Sequence, residues 1–136
     1  MSYGASAALQ TAIYQHLKAD PGVSGLVGDD VFDAVPSGIV PSVYISLGRE
    51  DVVARNDKSG CGAVHRFTVS VVNEGAGFQA AKTIAGAVSD ALHNQNPPLD
   101  RGRIVRMQFL RASARRIGEG ARRRIDLLFE ARVEDS

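Results

Sequence analysis

The sequence lacks several features that would point to other classes of protein. It has one cysteine, Cys61, so no internal disulfide can hold the fold together. It has no tryptophan and only 6% aromatic residues, and no apolar run approaches the roughly 18 residues of a membrane-spanning helix. The first ten residues, MSYGASAALQ, have neither the basic start nor the long apolar stretch of a signal peptide. We therefore expect one soluble domain, residues 1–136, of cytoplasmic origin.

Basic charge, in contrast, is abundant in one place. The net charge is only +1, but residues 101–132 contain ten arginines against three acidic residues, whereas residues 1–100 contain six basic and ten acidic groups. Five of the arginines lie in the segment RRIGEGARRR, residues 115–124. A GC-rich genome would explain arginine in place of lysine, but not this clustering. The planar guanidinium suits bidentate pairing with carboxylate or phosphate, so the segment could grip nucleic acid, bind a phosphate or dock onto an acidic partner.

Hydrophobic periodicity predicts an α+β domain. Its elements are helices over 5–19 and 77–94 and strands over 31–35, 42–48, 63–72, 103–117 and 121–133. The first helix should stop at Asp20, because Pro21 disfavours a helical residue before it. Residues 49–62 read as a long mobile loop or as the extended tip of a hairpin. The expected fold is a mostly antiparallel sheet with two helices packed on one face and a long C-terminal β-hairpin.

The pairing of this hairpin can be predicted from its turn. With Glu119 at the centre, apolar partners would be Phe109 with Phe129, Met107 with Ala131 and Val105 with Val133. Near the tip, arginine would face arginine on both faces, as Arg115 with Arg123 and Arg116 with Arg122. Like charges directly opposite destabilise a sheet, so neither tip face should pack on a core. The tip is therefore expected to project from the domain, and a one-residue bulge would shift the pairs without changing that conclusion.

Candidate catalytic and cofactor motifs are weak. GAGFQA, residues 75–80, matches a permissive dinucleotide fingerprint, but no acidic residue closes a following parallel strand. Cys61 and His65 are close enough to act as nucleophile and base, yet the cysteine falls in a glycine-rich segment that offers no rigid positioning. The carboxylate pair of Asp29 and Asp30 is more typical of a solvated turn, and His16 and His93 lack metal-ligand spacing. We expect no catalytic residue, no metal and no cofactor.

The order of elements resembles a known family. The segments LVGDDVFDAVP, PSVYISLG, RFTVSVVNEGAGFQAAKTIAGAVSDAL and RIDLLFEARV look like the tail-completion, or tail terminator, proteins of long-tailed phages. The arginine-rich style is similar to the form carried by alphaproteobacterial gene transfer agents, which are phage-like particles. The resemblance covers nearly the whole chain but lies in order and pattern rather than in an invariant motif.

The resemblance implies a structural role rather than an enzymatic one. It implies a six-membered ring that caps the tail tube, joins the head-side connector and lets DNA pass without sequence recognition, after assembly in the bacterial cytoplasm and with no membrane partner. The predicted partner interface consists of the basic residues Arg115, Arg116, Arg122, Arg123, Arg124, Arg55 and Lys58. A small nucleic-acid-binding module that uses the C-terminal hairpin is the alternative, although aromatic interleaving and a helix-turn-helix pattern are missing. A small enzyme is a third and weaker alternative.

Overall fold

A computed structural model describes residues 3–35, 38, 40–55, 62–75 and 77–135 of the chain. Its elements are α1 (Ser6–Ala19), α2 (Pro21–Val27), β1 (Val31–Phe32), β2 (Val43–Ala54), β3 (Gly62–Glu74), α3 (Gln79–Leu92), β4 (Arg103–Ile117) and β5 (Arg122–Glu134). The five strands form one sheet in the order β1-β2-β3-β5-β4. Every neighbouring pair is antiparallel except β1 with β2. In the described part of the chain, no helix is both long and apolar enough to cross a membrane.

These elements confirm the α+β fold, the mostly antiparallel sheet and the long C-terminal hairpin. The sequence prediction missed α2, a third and short helix. Pro21 ends α1, as expected, but it also occupies the first turn of α2, where its missing N–H costs nothing. Asp20 caps this helix, since its carboxylate accepts a hydrogen bond of 3.1 Å from the backbone N–H of Val23. Gly22 and Gly25 make the segment look like a turn in the sequence, whereas the cap and buried Val23 and Val27 stabilise a helix.

The hydrophobic core lies between the helices and one face of the sheet. Alternate residues of β5, from Ile125 to Val133, are buried on this face, as the period-two pattern predicts. Phe129 sits at its centre with its ring stacked on Phe67 at 5.6 Å and edge-on to Phe109 at 5.8 Å. The opposite face of the sheet, which we call the open face, carries the alternate polar and charged residues of β5.

The first part of the predicted loop, residues 49–54, is strand. Strand β2 continues to Ala54 and pairs with β3 as far as Ala54 with Ala63, after a bulge between Leu47 and Glu50. The hairpin interpretation is therefore confirmed over residues 49–54, and the loop interpretation is wrong there. The strand persists because its charged residues have cross-strand partners, such as Glu50 beside His65. Residues 56–61 lie outside the described residues.

The register of the β4–β5 hairpin follows the prediction at its centre and departs from it at both ends. Phe109 pairs with Phe129 and Met107 with Ala131, as expected. A bulge between Ile104 and Arg106 places Ile104, not Val105, opposite Val133. A second bulge between Phe109 and Arg111 shifts every pair nearer the tip by one residue. The tip pairs are therefore Arg115 with Arg124 and Arg116 with Arg123, not those predicted.

Candidate interaction surface

The arginines of β4 lie at one edge of the sheet, whereas those of β5 lie one strand further in. Strand β4 is the edge strand, and its residues 110–116 are exposed on both faces, because the helices cover only its first half. Arg115 and Arg116 therefore point into solvent from opposite faces. We call β4 and the arginines on it the basic edge. A charged edge strand resists uncontrolled pairing with other strands and can still meet a partner of opposite charge.

The prediction that the tip projects free of the core is wrong. Strand β3 pairs with β5 as far as Glu74 with Arg122, so the β5 side of the tip is covered by a neighbouring strand. Only the β4 side of the tip is open. Arg123 is 5% exposed, and its guanidinium carbon lies 5.3 Å from the centre of the Phe78 ring. Its Nη1 also donates a hydrogen bond of 2.7 Å to the carbonyl of Gly120. The cation–π contact and this hydrogen bond stabilise a buried arginine. Arg123 is therefore too buried to contact a partner and does not belong to the partner interface.

On the open face, a single carboxylate lies between two arginines of the tip. Asp126 accepts hydrogen bonds from Ser70 Oγ at 2.6 Å and from Arg124 Nε at 2.9 Å, and it lies 3.3 Å from Arg115 Nη1. Burial raises the pKa of Asp126, but the hydrogen bonds from Ser70 and Arg124 and the charges of Arg124 and Arg115 outweigh it and lower the pKa below its ordinary value. This ionised carboxylate relieves the repulsion between Arg115 and Arg124, a pair that arises only because the second bulge shifts the register.

The same cluster borders a shallow groove of about 420 Å³ on the open face. Two further arginines, Arg49 and Arg111, line this groove together with Arg115, Arg124 and Asp126. Its charge is positive, since four arginines face one carboxylate. The place of Arg49 and Arg111 in this groove could not be predicted from the sequence. The bulges in β2 and β4 determine which face each side chain occupies, and the alternation pattern does not reveal a bulge.

The remaining predicted interface residues lie elsewhere. Arg122 and Arg124 are half-buried on β5. Arg55 is exposed just after β2, at the opposite end of β5 from the tip, where its backbone N–H donates to the carbonyl of Gly62 at 2.7 Å. The structure thus does not bring Arg55 together with the tip arginines. Lys58 lies outside the described residues.

His65, which is close to Cys61 in the sequence, takes part in a structural polar network. His65 is fully buried, and its Nδ1 lies 3.1 Å from Glu50 Oε2. The other oxygen of Glu50 accepts hydrogen bonds from Ser6 at 2.7 Å and Tyr3 at 2.9 Å. This polar network ties the start of α1 to the β2–β3 hairpin and leaves no opening for a substrate at His65. Cys61 lies outside the described residues.

The other chemical candidates gain no support. Among the described residues, no group of three or more histidines, cysteines and acids could hold a metal ion. Asp29 is exposed beside α2, and His93 Nδ1 accepts a hydrogen bond from the backbone N–H of Phe109 at 3.1 Å. Strand β4, which follows the glycine-rich start of α3, pairs with antiparallel β5, so the crevice of a dinucleotide fold is not formed there.

Comparison with known proteins gives the same family as the sequence pattern. Residues 11–134 match the family described as Tail completion protein gp17. A chain in the solved structure "Virion of native gene transfer agent (GTA) particle" is 53% identical, with a TM-score of 0.92 over 98% of this chain and 99% of that chain. Among curated proteins, no sequence matches. The chain therefore belongs to the tail completion proteins, a family of structural proteins of phage tails.

Proposed function

We propose that this chain is the tail terminator subunit of a phage-like particle of the gene transfer agent type. Six copies form a ring that caps the tail tube, stops its growth and joins it to the head-side connector. DNA passes through the central hole without sequence recognition. The subunit is made in the bacterial cytoplasm and remains in the tail of the finished particle.

One observation carries this proposal: the match to a chain of a gene transfer agent virion at 53% identity over almost the full length of both chains. At this identity and coverage the two chains share the whole fold, with a TM-score of 0.92. The fold adds support of a second kind, since β4 is a 15-residue edge strand whose second half is exposed, and such an edge is suited to contact between proteins.

The tip arginines have a specific place in this function. We propose that Arg115, Arg116, Arg122 and Arg124 contact an acidic surface of a tail protein, with Arg55 and Lys58 as outlying contacts. Arg115 and Arg116 are exposed and Arg122 and Arg124 are half-buried. A protein carboxylate is a fixed partner for a guanidinium, whereas a dense collar of arginines on DNA would hold phosphates through counterion release and oppose passage.

Nucleic-acid binding is the competing function, and the groove with Arg49, Arg111, Arg115 and Arg124 is the observation that favours it. The two functions differ in their dependence on salt. Binding to duplex DNA through several arginines would weaken by orders of magnitude between 50 and 200 mM salt. We expect fluorescence anisotropy to show only weak, sequence-independent binding. Tight binding to DNA at physiological salt would favour the competing function.

The direct test is particle assembly in cells that do not make this protein. Without it, we expect tails of irregular and excessive length that are not joined to heads, as seen by negative-stain electron microscopy. Supplying the wild-type chain should restore tails of uniform length. Joined tails of normal length in its absence would show that it is not the terminator. A chain of equal expression with Cys61→Ser should rescue fully, since we assign its thiol no function.

A further inference from the structure

The two edges of the sheet carry opposite charge. Residues 101–117, which include β4, contain six arginines and no acidic residue. Residues 19–48, which include α2 and β1, contain four aspartates and no lysine, arginine or histidine. Strands β1 and β4 are the first and last strands of the sheet, four strand spacings or roughly 19 Å apart. The subunit is therefore acidic on one side, which we call the acidic edge, and basic on the other.

Among the described residues, many of these charges have no partner of opposite charge, although Asp33 accepts a hydrogen bond from Gln10 and Asp20 accepts one from the backbone N–H of Val23. Three of the six arginines form ion pairs with acids of β5 and the C-terminal segment. The other three, Arg106, Arg111 and Arg116, are exposed and form no ion pair with any residue that the structure describes. Over the same residues, none of the four aspartates of the acidic edge forms an ion pair, and Asp29 and Asp33 are exposed. Both edges thus retain charge that a partner could neutralise.

Each edge also exposes apolar side chains among its charges. Leu110 is 39% exposed at the second bulge of β4, next to Arg111. On the acidic edge, Leu26 is 43% exposed and Val35 is 41% exposed. Apolar side chains surrounded by charged ones are the usual composition of a protein–protein contact, with the apolar part at its centre and the charges at its rim.

We propose that the basic edge of one subunit packs against the acidic edge of the next copy, so that Arg106 and Arg111 pair with Asp29 and Asp33 around Leu110. This inference rests on the proposed ring and names the surfaces that build it. Contact between two basic edges would place arginine against arginine, which excludes a two-fold dimer through β4. A head-to-tail contact between different surfaces leads instead to a closed ring when its rotation closes. Since β1 has only two residues, side chains rather than a long strand ladder carry the contact.

Charge reversal tests this pairing. The basic-edge variant is Arg106→Asp with Arg111→Asp, and the acidic-edge variant is Asp29→Arg with Asp33→Arg. We expect each variant alone to associate at least tenfold more weakly than wild type. Both reversals in one chain restore complementary edges, so association should return. An equimolar mixture of the two variants should also form rings with equal numbers of each, because every contact then joins opposite charges. Native mass spectrometry resolves the subunit composition.

Two controls keep these outcomes separable from loss of folding. The matched controls are Lys82→Asp and Asp90→Arg, which change charge at exposed positions of α3 away from both edges and should leave association unchanged.

A second test places Leu110→Cys and Val35→Cys in one Cys61→Ser chain. A short bismaleimide cross-linker should then produce a ladder of oligomers from the assembled protein, whereas either cysteine alone should not.

The outcomes distinguish this inference from the function on which it rests. If wild type forms rings and the reversed variants form them equally well, the edge pairing is wrong and the ring stands. If each reversal blocks association but neither the combined chain nor the mixture recovers it, the two edges do not meet. If wild type stays monomeric at high concentration, even with the tail tube protein present, both the pairing and the proposed ring are overturned.

Discussion

The guanidinium of Arg123 lies over the ring of Phe78, with 5.3 Å between the guanidinium carbon and the ring centre. Phe78 immediately precedes α3 and Arg123 is the second residue of β5, so the contact joins the start of a helix to the tip of the hairpin. Arg116, directly opposite Arg123 on β4, is exposed. Two arginines that face each other across the same strand pair thus have different physical roles.

We therefore expect Arg123→Ala to lower the free energy of unfolding by about 1–3 kcal/mol, through loss of the ring contact and of the hydrogen bond to Gly120. Arg116→Ala should change it by less than about 0.5 kcal/mol, since it removes only a solvated side chain. Urea unfolding of both variants at one protein concentration makes the comparison. Equal effects at the two positions would contradict the structural role of Arg123.

A second prediction concerns Asp126 and pH. Because the pKa of Asp126 is lowered in the folded state, its contribution to stability is complete above the unfolded pKa of about 3.9 and is lost as pH falls through the folded value. Asp126→Asn should thus lower the free energy of unfolding by about 1–2 kcal/mol at pH 7. The difference from wild type should shrink as the pH is lowered below 4. A difference that stays constant down to pH 2 would show that the charge of Asp126 is not what stabilises the cluster.

Glu50 and Asp51 allow a comparison between neighbouring residues. Glu50 accepts hydrogen bonds from Ser6 and Tyr3 and lies against buried His65, whereas Asp51 forms a loose ion pair with Arg49 in which both side chains are more than half exposed. Glu50→Ala leaves these donors without their acceptor and should destabilise the fold by about 1–3 kcal/mol. Asp51→Ala should cost less than about 1 kcal/mol. Thermal unfolding measures both, and a larger effect at Asp51 would contradict the network.

Much of the fold was predictable because its signals are local. The limits of β4 follow from alternation and turn residues, and Arg103–Ile117 matches the predicted range. The bulges were not predictable, since Val105 and Leu110 are apolar residues that fit a regular strand as well as a bulge. Helix α2 was missed because its cap, Asp20, and its two glycines give opposing local signals.

The candidate site was harder to predict, because its chemistry depends on residues distant in sequence. The clustering of arginine was visible, but the burial of Arg123 depends on Phe78, 45 positions earlier. Asp126 relieves the repulsion between Arg115 and Arg124. The strand pattern predicts that Asp126 lies on an outer face, but it does not show which residues Asp126 contacts. The opposite charges of the two sheet edges become apparent only once the strand order is known.

Two glycines differ sharply in what a methyl group would do. At Gly102, where φ is +75°, an added Cβ would lie 2.6 Å from the backbone oxygen of Glu134. Gly102→Ala should therefore destabilise the fold by about 2–3 kcal/mol. At Gly86, on the exposed face of α3, an added Cβ meets nothing within 4 Å. Gly86→Ala should stabilise by about 0.5–1 kcal/mol, as expected for a helix interior. Calorimetric melting of the two variants should give shifts of opposite sign, and a shared sign would contradict the close approach at Gly102.

The final prediction separates the tip arginines from the ring contact. Arg115→Gln with Arg116→Glu removes exposed charge at the hairpin tip, and Lys18→Glu is the control on α1. The double variant should fold, because Arg115 is 57% exposed and Arg124 still pairs with Asp126. It should still form rings when isolated, because Arg106 and Arg111 carry the proposed contact between subunits and are unchanged. It should fail to join tails to heads, since the acidic surface of the tail partner loses its contacts. Tail length, head attachment and DNA delivery are measured on the same particle preparation. Complete and joined tails that deliver DNA poorly would place these arginines in the lumen, beside the DNA, rather than against protein.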